Sequence, residues 1–200
     1  MRPIILWLLL MISLSSQASF FDLVKKEVTS LSKVNVADSL YQKLFRNNDS
    51  TTTLKALKEL QAIANEADDV LLKCFVLSTF GDYYARIRDF GDLSTNYHLQ
   101  AIELGKTEGS KISEAISNYK LGRYYYNFQR YPKAFEYLLG ANYLEKEIGY
   151  SSSLQSGWIF YYYAKAYHEI GDFANAEFSA SVGVFTNGIQ RDDANKDSSM

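Results

Sequence analysis

Apolar residues recur every three or four positions through most of the chain, the spacing of helices with one buried face. The pattern is clearest from Trp158 to Ile170, where Ile159, Tyr163, Ala166, Tyr167 and Ile170 fall together. Gly171 supplies a left-handed stop and Asp172 a cap for the next helix. That helix runs from Phe173 to Phe185 with Ala176, Phe178 and Ala180 between. Earlier, "YKLGRYYYNFQRYPKAFEYLL" spans Tyr119 to Leu139 and reads as two helices, with Pro132 at the first position of the second, where a missing N–H costs nothing. Upstream, Phe20 to Leu31 predicts one helix, with Val24, Val28 and Leu31 on one side. Val36 to Phe45 predicts a short helix, and Asn47 to Ser50 a turn and cap cluster. Leu54, Leu57, Leu60 and Ile63 give the next helix its apolar face, and Asp89 and Asp92 are candidate caps farther on.

The pattern repeats. A small residue is followed by a tyrosine three positions later, an aromatic at nine, and a small or apolar residue at twelve. Gly122, Tyr125, Tyr131 and Ala134 fit it, as do Ala164, Tyr167, Phe173 and Ala176, and Gly81, Tyr84, Phe90 and Leu93. The starts lie 41 and 42 residues apart. Each unit is a helix hairpin, and units of this length stack on one another because none can bury its apolar face alone. A glycine inside a helix costs about 1 kcal/mol against alanine. Gly122, Ala134 and Ala141 are expected to offset that by letting the two helices of a hairpin approach closely. Tyr125 and Tyr131 then fill the space between hairpins, and Tyr125 and Tyr167 are expected in the core.

These residues resemble the tetratricopeptide repeat family, whose hairpins carry a small residue and a tyrosine in the first helix, an aromatic at the turn and alanines in the second. The long spacing resembles the form found in the extracytoplasmic sensor part of bacterial regulators. The resemblance covers residues 70–188 and implies an all-α fold, a right-handed superhelical stack of helix-turn-helix hairpins. On this reading residues 1–18 are a signal peptide, 19–69 hold N-terminal helices with a degenerate hairpin, 70–188 hold three hairpins, and 189–200 form a polar tail.

Composition narrows the function. Basic and acidic residues are 21 and 23 in number, so no net field draws in nucleic acid or an anionic membrane. The segment "MRPIILWLLLMISLSSQAS" has Arg2, an apolar run from Ile4 to Leu14, and small residues at Ser16 and Ala18. That is the layout of a secretory signal cut after Ala18, and the apolar run is well short of the roughly 20 residues that span a bilayer. The protein is therefore expected to be exported, periplasmic or extracellular, with no membrane span after cleavage. Cys74 is the only cysteine; among Leu71, Leu72, Phe75 and Leu77 it reads as a small buried apolar residue. His98 and His168 have no partner at metal-ligand spacing and read as surface residues. No H-E-x-x-H, phosphate loop or G-x-S-x-G occurs, and no cofactor, metal or enzymatic activity is expected.

What remains is a binding surface. In a stack of hairpins the first helix of each lines the concave side. Counting from the small residue, that face takes Phe75, Ser78, Asp82 and Ala85 in the first unit. It takes Ile116, Tyr119, Arg123 and Tyr126 in the second, and Trp158, Tyr161, Lys165 and His168 in the third. Tyr119, Arg123, Tyr126, Trp158, Tyr161 and Lys165 are the candidate contacts for a protein or peptide, since Tyr, Trp and Arg anchor interfaces. The carboxylate-gripping form of the family has polar residues where Ile116 and Tyr119 stand, so that specialised activity is not implied. The expected function is an exported scaffold that binds a protein or peptide in a concave aromatic groove. The alternative is an extracytoplasmic sensor fragment of a longer bacterial signalling regulator. The last helix carries Phe178, Val182, Val184 and Phe185 around more than one face, which leaves a patch for a second copy, a partner or a downstream segment. Mass spectrometry of the exported protein is expected to find its first residue near Ser19; an intact Met1 on a membrane-bound form would refute the signal assignment.

Overall fold

The computed structural model describes residues 21–27, 29–46, 49–87, 92–149 and 156–183. The signal segment, Asp89 and the polar tail lie outside them, as do Val28, Val184 and Phe185. The described chain is all-α, with no strand among the described residues. Its helices are α1 (21–26), α2 (Ser30–Arg46), α3 (Ser50–Glu66), α4 (Val70–Arg86), α5 (Asp92–Thr107), α6 (Lys111–Asn127), α7 (Tyr131–Ile148), α8 (Ser156–Glu169) and α9 (173–183). They fall into two compact units, Met1–Val76 and Leu77–Met200.

In the first unit α2 packs on α3. Leu57, Leu60 and Ile63 are buried as their spacing predicts, against a core that also holds Val34, Ala37 and Leu40. Asp49 caps α3, accepting from the Thr52 N–H at 3.0 Å. Asp69 does the same for the start of α4, accepting from the Leu72 N–H at 3.0 Å. Cys74 is buried, as expected. Two boundaries differ from the sequence pattern. The helix expected over Phe20 to Leu31 is interrupted, because Thr29 turns the chain and accepts from the Ser32 N–H at 3.2 Å. Leu31 therefore belongs to α2, which starts six residues before Val36.

In the second unit α6 packs against α5, α7 and α8. It is buried nearly all round between Ser113 and Tyr125, with Ser117, Asn118 and Lys120 among the buried residues. Its approach to α7 centres on Gly122. A Cβ there would lie 2.7 Å from Leu138 Cγ and 3.1 Å from the Leu138 backbone nitrogen. The same device joins α4 to α5: a Cβ on Gly81 would lie 2.6 Å from the His98 ring. Ala134 and Ala141 are fully buried on the α7 side. On the α5 side the buried small residues are Ser94 and Ala101, while Leu93 is exposed. The offsets after Gly81 therefore run one residue later than after Gly122, because the connection before α5 is longer than the one before α7.

The helix ends are closed by paired backbone hydrogen bonds around a left-handed residue. After α5, Gly109 (φ 66°) and Ser110 donate to the carbonyls of Lys106 and Gly105. After α8, Gly171 (φ 81°) and Asp172 donate to His168 and Tyr167. Asp172 then accepts from the Asn175 N–H at 3.2 Å, the expected cap of α9. On α9, Phe173 and Phe178 stand largely exposed.

Alanine is the better helix former by about 1 kcal/mol, yet Gly122→Ala is expected to destabilise the protein by roughly 1–3 kcal/mol through overpacking against Leu138. Urea unfolding measures this. A gain in stability would show that α6 and α7 part without cost.

Candidate functional site

Within the second unit the first helices of successive hairpins bring together two joined groups of side chains. The first is ionic. Asp82 on α4 accepts from Arg123 Nη2 on α6 at 2.7 Å. Lys120 Nζ stands 3.5 Å from the same carboxylate and donates to Thr79 Oγ1 at 2.8 Å. Below them the Ser78 and Ser117 hydroxyls meet at 3.4 Å, both buried. Burial alone would raise the Asp82 carboxyl, but Arg123, Lys120 and His98 carry it down to about 2. Asp82 in turn raises Arg123. Both groups are charged at any ordinary pH.

His98 corrects the sequence reading. It was expected at the surface and is fully buried. With the one-residue offset it is the counterpart of Leu138: each fills the space left by a glycine on the facing helix. His168 is exposed, as expected. Neither His98 ring nitrogen has a hydrogen-bond partner among the described residues; Asp82 Oδ1 is 3.9 Å from Nε2, beyond hydrogen-bond length, and the ring of Tyr124 lies 5.7 Å away. Burial pushes the imidazole down to about 4, with Lys120 and Arg123 adding to that shift and Asp82 opposing it.

The second group is aromatic. Arg123 lies over the Tyr119 ring at 5.7 Å. Tyr162 touches Tyr119 at 6.1 Å, Tyr126 at 5.4 Å and Tyr161 at 5.2 Å between ring centres. Trp158 meets Tyr161 edge to face at 5.5 Å. The Lys165 ammonium sits 5.2 Å from the centre of Tyr126 and 5.3 Å from that of Tyr161, within cation–π range of both. Burial would lower the Lys165 ammonium, but the hydroxyls of Tyr161 and Tyr126 raise it instead.

All six sequence-predicted contacts thus lie in one connected cluster, but they differ in access. Trp158 and Tyr161 are 55% and 45% exposed, whereas Tyr119 is 4% exposed. Tyr119 was expected on an open face; α8 covers it, and it joins a core with Leu138, Ala141, Ile159 and Tyr163. Ser78, Ile116 and Phe75, read onto the same face, are also buried. Tyr125 is buried as expected, stacked on Tyr137 at 5.5 Å, and Tyr167 is half-buried against Phe135. Sequence reasoning missed Tyr162, the ring that joins the cluster. Its signal was present: Thr79, Lys120 and Tyr162 each stand two residues before the small residue of their unit. Likewise Asp82, Arg123 and Lys165 each stand one after it.

No group of His, Cys, Asp or Glu among the described residues is arranged to hold a metal ion. No described helix is long and apolar enough to cross a membrane. No family model matches the chain, and no curated protein matches it. Among solved structures it resembles the crystal structure of BtubC (BKLC) from P. vanneervenii, with a TM-score of 0.58 and 13% identity over 83% of this chain and 67% of that one. At that identity the likeness concerns the fold, an all-helical one.

Because His98 takes up a proton less readily folded than unfolded, its contribution to stability is complete above about pH 6.5 and is lost as pH falls toward 4. The shift is worth about 3 kcal/mol. Asp82 adds a further loss only between its ordinary value and about pH 2. His98→Leu is expected to remove the loss between pH 6.5 and 4 while holding or raising stability at pH 7, since it replaces unsatisfied ring nitrogens with the residue used at the matching site. Urea melts across that range decide it; an unchanged pH slope would place the titration elsewhere.

Proposed function

We propose that the chain is a tetratricopeptide-like superhelical scaffold whose second unit binds a protein or peptide on the face around Trp158, Tyr161 and Lys165. The observation that carries this reading is the joined state of that face. Two large aromatics stand about half exposed, fixed edge to face, with an ammonium held between two tyrosine rings. These are residue types whose burial dominates binding energy, and they are ordered before any partner arrives, which lowers the entropy lost on association. Arg123 is neutralised by Asp82, so its part is to hold Tyr119 and Tyr162 in place while Lys165 and Trp158 meet the partner.

The repeat spacing, the close approaches at Gly81 and Gly122, and the matched columns Asp82, Arg123, Lys165 and Thr79, Lys120, Tyr162 support the stacked-hairpin architecture. The signal-like segment at residues 1–18 supports a role outside the cytoplasm, with the partner met there.

Peptides selected from a displayed random library on the purified protein provide the test, with affinities read by fluorescence polarisation. Trp158→Ala and Lys165→Ala are each expected to weaken the selected peptides about tenfold or more, with melting temperature unchanged. Peptides that bind both variants as tightly as the parent would place the interface elsewhere.

A further inference from the structure

A cavity of about 420 Å³ opens among α5, α6 and α7 and shares no lining residue with the aromatic face. Its size falls in the range of small-ligand sites, roughly 300–1,000 Å³. Leu99, Ile102 and Tyr137 give it apolar walls. Glu103 from α5 and Glu136 from α7 each bring a carboxylate to it. Neither is ion-paired to Lys106, the single cation of the lining, or to any other described residue.

The floor is Asn118 on α6, only 8% exposed. Its Nδ2 donates to the Glu114 carbonyl at 2.9 Å, while Oδ1 accepts from none of the described residues. That oxygen lies 3.3 Å from the point a Cβ on Gly140 would occupy, so a side chain at Gly140 would crowd it. An amide oxygen at the floor of an open cavity is free to accept from a donor that enters it.

We propose that this cavity binds a cation on an aliphatic stem, an alkylammonium or alkylguanidinium group. The lining offers the acceptors such a cation needs: two carboxylates and the Asn118 carbonyl. The apolar walls take the stem, and the Tyr137 ring suits a cation at its face. Lys106 opposes the ligand, leaving the lining with one net negative charge. This chemistry arrives either as a free polyamine or as a lysine or arginine side chain of a partner segment.

The test is titration of the ¹⁵N-labelled full chain with spermidine and, separately, with the peptide acetyl-Gly-Arg-Gly-amide. Saturable shifts of the Asn118 side-chain amide are expected with at least one probe. Tighter binding of spermidine assigns the site to free amines, and tighter binding of the peptide to a partner's side chain. Glu103→Gln with Glu136→Gln, both exposed positions, is expected to weaken the better probe about tenfold, and Lys106→Gln to strengthen it. The proposal is overturned if neither probe gives a saturable shift, if affinity is unchanged in the double variant, or if butyrate shifts the same amide. None of these readings involves Trp158 or Lys165, so the result is independent of the aromatic face.

Discussion

The close contact between the two helices of a hairpin is the constraint on which the second unit depends. At Gly122 and again at Gly81 a missing side chain admits a residue from the facing helix. With the seam between paired helices filled by Leu138 and His98, the tyrosines are displaced to its flanks. There Tyr125 packs against Tyr137 along the edge of its own hairpin, and Tyr119 against Tyr162 of the next. Each buried ring removes roughly 150–250 Å² from water, so the glycine and the tyrosines form one arrangement. The tyrosines have somewhere to pack because the glycine lets the seam close.

The ionic group acts on a different variable, the register of one hairpin against the next. Asp82 and Arg123 occupy the same position in successive units and meet at 2.7 Å. Lys120 and Thr79 repeat the relation one column away. A slip of one helical turn would leave a partly buried charge without its partner, a loss of about 3–5 kcal/mol. Apolar contacts tolerate such slips far better, since one aliphatic surface resembles another. His98 lies beside the same carboxylate and remains neutral, so it adds volume without adding a competing charge.

Much of this was legible in the sequence, for physical reasons that also mark where legibility ended. The 3.6-residue period and the stops at Gly109 and Gly171 are local, so the helices from α5 to α9 can be read directly. Tyr119 could not be placed by the same rule. On a helix buried nearly all round, polar and apolar residues are mixed on every face, and periodicity has no single exposed side to measure from; only the presence of α8 decides that Tyr119 is covered. His98 was misplaced because the longer connection before α5 shifts its offsets by one residue, which hides its equivalence to Leu138. Tyr162 lies in a run of three tyrosines, where composition says little and position within the unit says more. Thr29 shows the opposite case: its hydroxyl accepts from the first turn of a new helix where apolar spacing alone would have continued the old one.

The burial of α6 on nearly all sides has a consequence for how the chain comes into being. Synthesis releases α6 before α7 and α8, the two helices that cover its tyrosines. Until they emerge, α6 has only α4 and α5 on which to dock, and the tyrosines on its other side face water. It cannot settle alone, since the faces its neighbours cover in the finished fold have no partner until those neighbours are present. The nascent chain must therefore pass through a stage in which a helix destined to be buried on nearly all sides waits, exposed to chaperones or to misassociation, for partners encoded downstream. The second unit closes around a helix that the ribosome delivers before the last of its neighbours.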